Sequence, residues 1–131
     1  MIEVEVFGAE LARELPALSE VRRLCVSAAA SAGVSDGHLA IEFVDSERIT
    51  ELNAAHRGKA AATDVLSFPI DGAEPLAGAR ELGDVVICPQ HTTDLREAIV
   101  HGVLHLTGLD HEADDGEMLA LQRQLLAAEG Q

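Results

Sequence analysis

The stretch His101-Gly-Val-Leu-His105-Leu-Thr-Gly108-Leu-Asp110-His111 constrains the backbone more tightly than any other part of this chain. It holds three of the six histidines, with Gly108 between the second and the third. Residues four apart on a helix leave the same face with Cβ atoms roughly 6 Å apart, so a helix here lets His101 and His105 aim ring nitrogens at one point. Gly108 supplies the left-handed conformation with which a chain often leaves a helix, and the sharp reversal expected there returns His111 toward the same point. Three neutral imidazoles at about 2.0–2.1 Å leave a fourth position open on a tetrahedral ion, which separates catalytic from closed structural sites. The expected cofactor is one Zn2+, although three imidazoles also accept nickel, cobalt or copper.

The same spacing occurs in metzincin proteases, where a glutamate directly after the first histidine is the general base. Here that position is Gly102, so a peptidase of this kind lacks the group that takes the proton from water. Asp110 either accepts the remaining ring N–H of a coordinating histidine or caps the following turn or helix. Glu97 stands one turn before His101, either on the metal-facing side or as an ordinary exposed acid. His38, His56 and His91 read as packing or surface histidines.

Periodicity places these residues on elements. IEVEVF at 2–7 alternates apolar and acidic side chains, the pattern of a half-buried strand. A helical stripe through Val21, Leu24, Cys25, Ala28 and Ala29 predicts a helix from Leu15 to Ala32, ended by Gly33. His38 to Val44 alternates again. Ser46 is the expected cap of a helix running to about His56 with Gly58 as terminator. Val65 to Ile70 is a β-rich run whose proline suits an edge or a strand end. The Gly-, Ala- and Pro-rich residues 71–82 read as a surface loop, followed by a strand from Asp84 to Cys88. Helices are expected from about Thr92 to Thr107 and from Asp114 to Ala128. The fold class is α+β, a small mixed sheet of about four strands packed against helices, one of them a zincin-like metal-binding helix.

With 131 residues the chain is a single domain, 1–131. The N-terminal MIEVEVFGAE has neither a cationic start nor an apolar stretch, and no run approaches a membrane span, so a soluble, cytoplasmic protein is expected. Cys25 and Cys88 lie far apart in apolar surroundings and read as packed thiols in a reducing compartment. A net charge of −14, from 23 Asp and Glu against nine Lys and Arg, excludes a long nonspecific grip on nucleic acid. The absence of Trp and Tyr removes the stacking platforms of single-strand binders. Any nucleic-acid chemistry must use a small local site or a partner that presents the substrate.

A second motif is Leu52-Asn53-Ala-Ala-His56-Arg57-Gly58-Lys59, followed by Thr63-Asp64-Val65-Leu66-Ser67-Phe68-Pro69. Together with Gly83-Asp84-Val85-Val86-Ile87-Cys88 and the three-histidine segment, it resembles the YbeY family of bacterial endoribonucleases and ribosomal-RNA maturation factors, from about residue 38 to the C-terminal helix. The resemblance implies a zinc-dependent, single-strand-specific endoribonuclease acting in small-subunit (16S) ribosomal-RNA maturation and ribosome quality control. Its partners would be single-stranded or ribosomal RNA and the small ribosomal subunit, with no membrane. His101, His105 and His111 match the family's metal ligands, and Arg57 its functionally important arginine.

Arg57 also makes chemical sense unaided, since a planar guanidinium holds two phosphate oxygens and offsets charge accumulating during attack on phosphorus. Lys59 is a weaker phosphate candidate. Thr63, Asp64 and Ser67 are expected to shape the turn and the strand. The family usually carries a longer segment than PQHTTDLREAIV between Cys88 and His101, and His56 stands where an aromatic residue is common. Two other readings stay open: a ribosome-assembly factor with a mainly structural metal, and a metallopeptidase of zincin geometry.

Overall fold

The computed structural model describes residues 1–71, 80–109 and 116–129. Strand β1 (Ile2–Phe7), helix α1 (Leu18–Ser31), strand β2 (Gly37–Phe43), helix α2 (Ser46–Arg57), strands β3 (Val65–Pro69) and β4 (Glu81–Ile87), and helices α3 (Leu95–Leu106) and α4 (Glu117–Glu129) follow in that order. The sheet runs β1-β2-β4-β3. β1, β2 and β4 are parallel, with Val6 opposite Ile41 and Ile41 opposite Val85, and β3 is antiparallel to β4, with Leu66 opposite Val86. The fold is the expected α+β arrangement around a four-stranded mixed sheet.

Alternation along the strands divides the core in two. Val85 and Ile87 of β4 join the large cluster with Leu24, Ile41, Ile99, Val103 and Leu104, under α1, α3 and α4. Val86 points to the other face, where it meets Ile49, Leu66, Cys88 and the partly buried Leu52 and Phe68 under α2. Cys25 and Cys88 are buried free thiols, as expected, and burial pushes the Cys25 thiol up to about 12.

Several boundaries differ from the sequence expectation for identifiable reasons. Helix α1 starts at Leu18 rather than Leu15, because Leu15 precedes Pro16 and such a residue is pushed out of the helical region. Ser46 is the first residue of α2, not its cap: the Asp45 carboxylate accepts the Arg48 N–H at 2.8 Å. Strand β4 starts at Glu81, inside the expected loop, because a register shift and Gly83 conceal its alternation while His38 pairs with Glu81. Residues 72–79 of that loop lie outside the described residues. Helix α3 starts at Leu95 rather than Thr92, since a 3-10 turn at Pro89–His91 is followed by extended Thr92, and Asp94 caps the helix. Among the described residues no helix is long and apolar enough to cross a membrane.

Candidate metal and phosphate cleft

Helix α3 carries the histidine pair, and its opposite side is sunk in the core: Ala98, Ile99, Val100, Gly102, Val103, Leu104 and Leu106 are all buried. The Asp94 carboxylate accepts the backbone N–H groups of Arg96 and Glu97 at 3.0 and 3.3 Å, opening the helix with a cap of the kind that favours helix formation. Arg96 donates from Nε and Nη2 to the two carboxylate oxygens of Glu20 at 2.5 and 3.1 Å, fastening the same turn to α1. That fork holds the Glu20 carboxyl below its usual range.

Gly102 explains how closely the helix lies on the sheet. A Cβ built there would stand 2.3 Å from Cγ1 of Val85, closer than carbon atoms approach, so any other residue would force Val85 or the helix to shift. The Ser67 hydroxyl on β3 donates to the Gly102 carbonyl at 3.0 Å and ties the histidine-bearing turn to the sheet edge. The position that bears the general base in metzincins therefore faces β4.

At the far end Gly108 adopts φ +101°. Gly108 donates its N–H to the His105 carbonyl at 3.0 Å and Leu109 to the Leu104 carbonyl at 3.2 Å, the paired bonds of a Schellman ending. The helix stops where the sequence predicts. Asp110 and His111 lie outside the described residues, as does Asp114, the expected start of α4.

His101 and His105 are half-buried, and their Nε2 atoms stand 3.2 Å apart. Two nitrogens bound to one tetrahedral ion at about 2.0–2.1 Å lie roughly 3.3 Å apart, so the pair is already spaced as two ligands of a single small cation. The other ring nitrogen of His101, Nδ1, is 2.9 Å from Oε1 of Gln122 on α4. Among the described residues no group of three or more metal-binding side chains is present; of the three expected ligands, His101 and His105 lie among those residues and His111 does not.

Both histidines line an open cleft of about 860 Å³ together with Arg57, Asp64, Ser67, Glu97 and Gln122. Arg57 is the last residue of α2, ahead of the Gly58 ending. It is exposed, and the cleft brings it to the same opening as the histidines. Asn53, one turn earlier and buried, donates from Nδ2 to the Ala61 carbonyl at 2.8 Å and so anchors the segment that follows Arg57. Asp64 accepts the Val65 N–H at 2.8 Å, the turn-shaping role expected of it. Glu97 is exposed and borders the cleft.

The other described histidines have local partners. His56 also lines the cleft, with its ring against Phe68 at 4.4 Å between centroids. His91 Nε2 lies 2.9 Å from the Ser46 hydroxyl, joining the turn before α3 to the start of α2. His38 bridges Glu5 and Glu81 across three strands at 2.5 and 2.7 Å, far from the cleft in the sheet order.

Residues 11–130 match the family described as Endoribonuclease YbeY. The chain belongs to the YbeY family. An Endoribonuclease YbeY of Bacillus cytotoxicus is 39% identical over 84% of this chain and 85% of its own. One from Acinetobacter baylyi is 43% identical over 73% and 72%, and one from Stutzerimonas stutzeri 40% over 88% and 80%. A solution structure of a Thermotoga maritima protein shares the fold, with TM-score 0.55 and 24% identity over 96% of this chain and 88% of that one. This YbeY-family chain thus carries two histidines, an arginine and a glycine-backed helix on one cleft.

Gln122 escaped the sequence reading. The signal was a polar residue four after buried Met118 and three before Leu125, inside an apolar stripe, where a side-chain amide needs a partner.

Proposed function

We propose that this chain is a metal-dependent endoribonuclease that hydrolyses single-stranded RNA. His101, His105 and His111 would hold one Zn2+, and Arg57 would bind the phosphodiester. The observation that carries this reading is the 3.2 Å separation of the two Nε2 atoms on a cleft that Arg57 also lines. When bound, the ion supplies Lewis acidity and eases deprotonation of water at neutral pH.

The chain's own residues do the rest. The Arg57 guanidinium presents a planar fork to two phosphate oxygens and opposes the negative charge that grows on them during attack. Asn53 and the Gly58 ending set where that fork begins. The buried side of α3 and the Ser67 bond hold the histidines still, which limits reorganisation during reaction. An open cleft, rather than a closed pocket, suits a polymer that passes through. Because the net charge is −14, affinity has to come from this site or from a partner that presents the RNA. That fits the finer role we propose, maturation of small-subunit 16S ribosomal RNA and ribosome quality control on the small subunit, in the cytoplasm.

The peptidase alternative lacks its general base, because residue 102 is glycine and a Cβ there would meet Val85. The test compares metal content and cleavage of a single-stranded RNA for the wild type, the chelated protein and His105→Ala. Cleavage should disappear with the metal in both treated samples. Undiminished cleavage by the chelated protein overturns the reading, and metal-loaded protein that binds small subunits without cutting RNA favours an assembly factor instead.

A further inference from the structure

We propose that Gln122 is the positioning residue of the histidine pair: its amide oxygen accepts the Nδ1–H of His101 and leaves Nε2 as the ring nitrogen offered to a cation. This rests on the metal-site reading above. The contact joins two helices, α3 and α4, across a separation of 21 residues, with Nδ1 2.9 Å from Oε1. Gln122 is only 5% exposed, so its amide needs a partner within the protein.

The chemistry follows from which nitrogen carries the proton. A neutral imidazole has one N–H and one lone pair, and only the lone pair binds a metal. If His101 carried its proton on Nε2, an N–H would point toward Nε2 of His105, 3.2 Å away, where the cation belongs. With the Gln122 oxygen at Nδ1, the proton sits on the far side of the ring. Both the tautomer and the ring rotation are then set before any ion arrives.

The position of Gln122 favours this arrangement. Buried Met118 precedes it by one turn, and the partly buried Leu121, Leu125 and Leu126 hold α4 against the large core cluster. The amide therefore stands on a packed helix rather than on a loop, as a group that orients a ligand should. Ser67 and Gly102 place the backbone of the α3 turn, while Gln122 places the ring.

Two measurements on the full chain test the proposal: the protonation pattern of the His101 ring in metal-free protein, by long-range 1H–15N correlation, and zinc affinity, by competition with a chromogenic chelator. The wild type should show His101 protonated on Nδ1. Gln122→Met should shift it toward the Nε2 proton and weaken zinc binding about 10- to 100-fold. Gln122→Glu keeps an oxygen acceptor at that place and should preserve both the Nδ1 proton and the affinity.

A wild-type ring protonated on Nε2 overturns the proposal, whether or not the variants fold. So does a folded Gln122→Met protein with unchanged ring protonation and unchanged zinc affinity. Wild-type protein that takes up no zinc while keeping the Nδ1 proton removes the metal reading but leaves the Gln122 contact standing, so the two failures are distinguishable.

Discussion

Helices α3 and α2 both deliver side chains to the cleft, and they are embedded very differently. In α3 seven residues are buried, and its first turn is both capped and clamped to α1. In α2 only Ile49 and Asn53 are buried. The difference matches what the proposed site asks of each side chain. A pair of metal ligands must be held within fractions of an ångström, and a helix immobilised by its neighbours can do that. An arginine that meets a flexible phosphodiester has a long side chain that adjusts, so its helix can lie at the rim.

This contrast can be broken or sharpened by mutation. The largest effect is expected at Arg57: Arg57→Ala should lower RNA cleavage about 100- to 1,000-fold, the range for removing one donor to a developing oxyanion, with zinc content unchanged. Equal cleavage by mutant and wild type would remove Arg57 from the chemistry. Next is Gly102→Ala, where the added methyl meets Val85 at 2.3 Å. Overpacking of this kind should cost about 1–3 kcal/mol in urea unfolding, more than the helix preference of alanine returns. Val85→Ala in the same chain should recover part of it, and a stable Gly102→Ala single variant would contradict the close approach of α3 to the sheet.

A smaller effect belongs to the rim helix. Asp45→Ala removes the carboxylate that caps α2 and should cost about 1 kcal/mol, reducing cleavage while leaving zinc affinity intact. Loss of zinc affinity in this variant would mean that the two helices are not independent.

The smallest effect lies outside the cleft, at His38. Its pKa is raised, first by the hydrogen bond to Glu5 and then by Glu81, against an opposing effect of burial. The folded state thus favours the imidazolium, whose contribution to stability is complete below the unfolded-chain value of about 6.5 and is lost as pH rises through the higher folded value. Urea midpoints of the wild type should fall slightly over that interval, and those of His38→Gln should not. Identical pH profiles for the two proteins would contradict the bridge.

Much of the site could be read from residue order because it depends on local geometry. The four-residue interval between His101 and His105 needs only a helix, and Gly108 needs only a helix end; both appear where the spacing demands. The start of β4 could not be read, because Glu81 becomes strand by pairing with His38, a residue far away in the chain. The cap of α2 shows a finer limit: Asp45 and Ser46 are both good capping residues, and the chain path decides between them. Gln122 was hidden for a related reason, since its partner lies on another helix.

Order along the chain alone determined the four-strand α+β pattern and the pairing of two imidazoles on one helical face, because these follow from periods of two and of about 3.6 residues, while its motifs carried the resemblance to the YbeY family. Only the tertiary structure decided that Arg57 shares an opening with those imidazoles, that Gly102 lies against Val85, and that an amide on α4 meets the His101 ring. Those contacts join residues far apart in sequence, and their distances are set by how helices settle on the sheet.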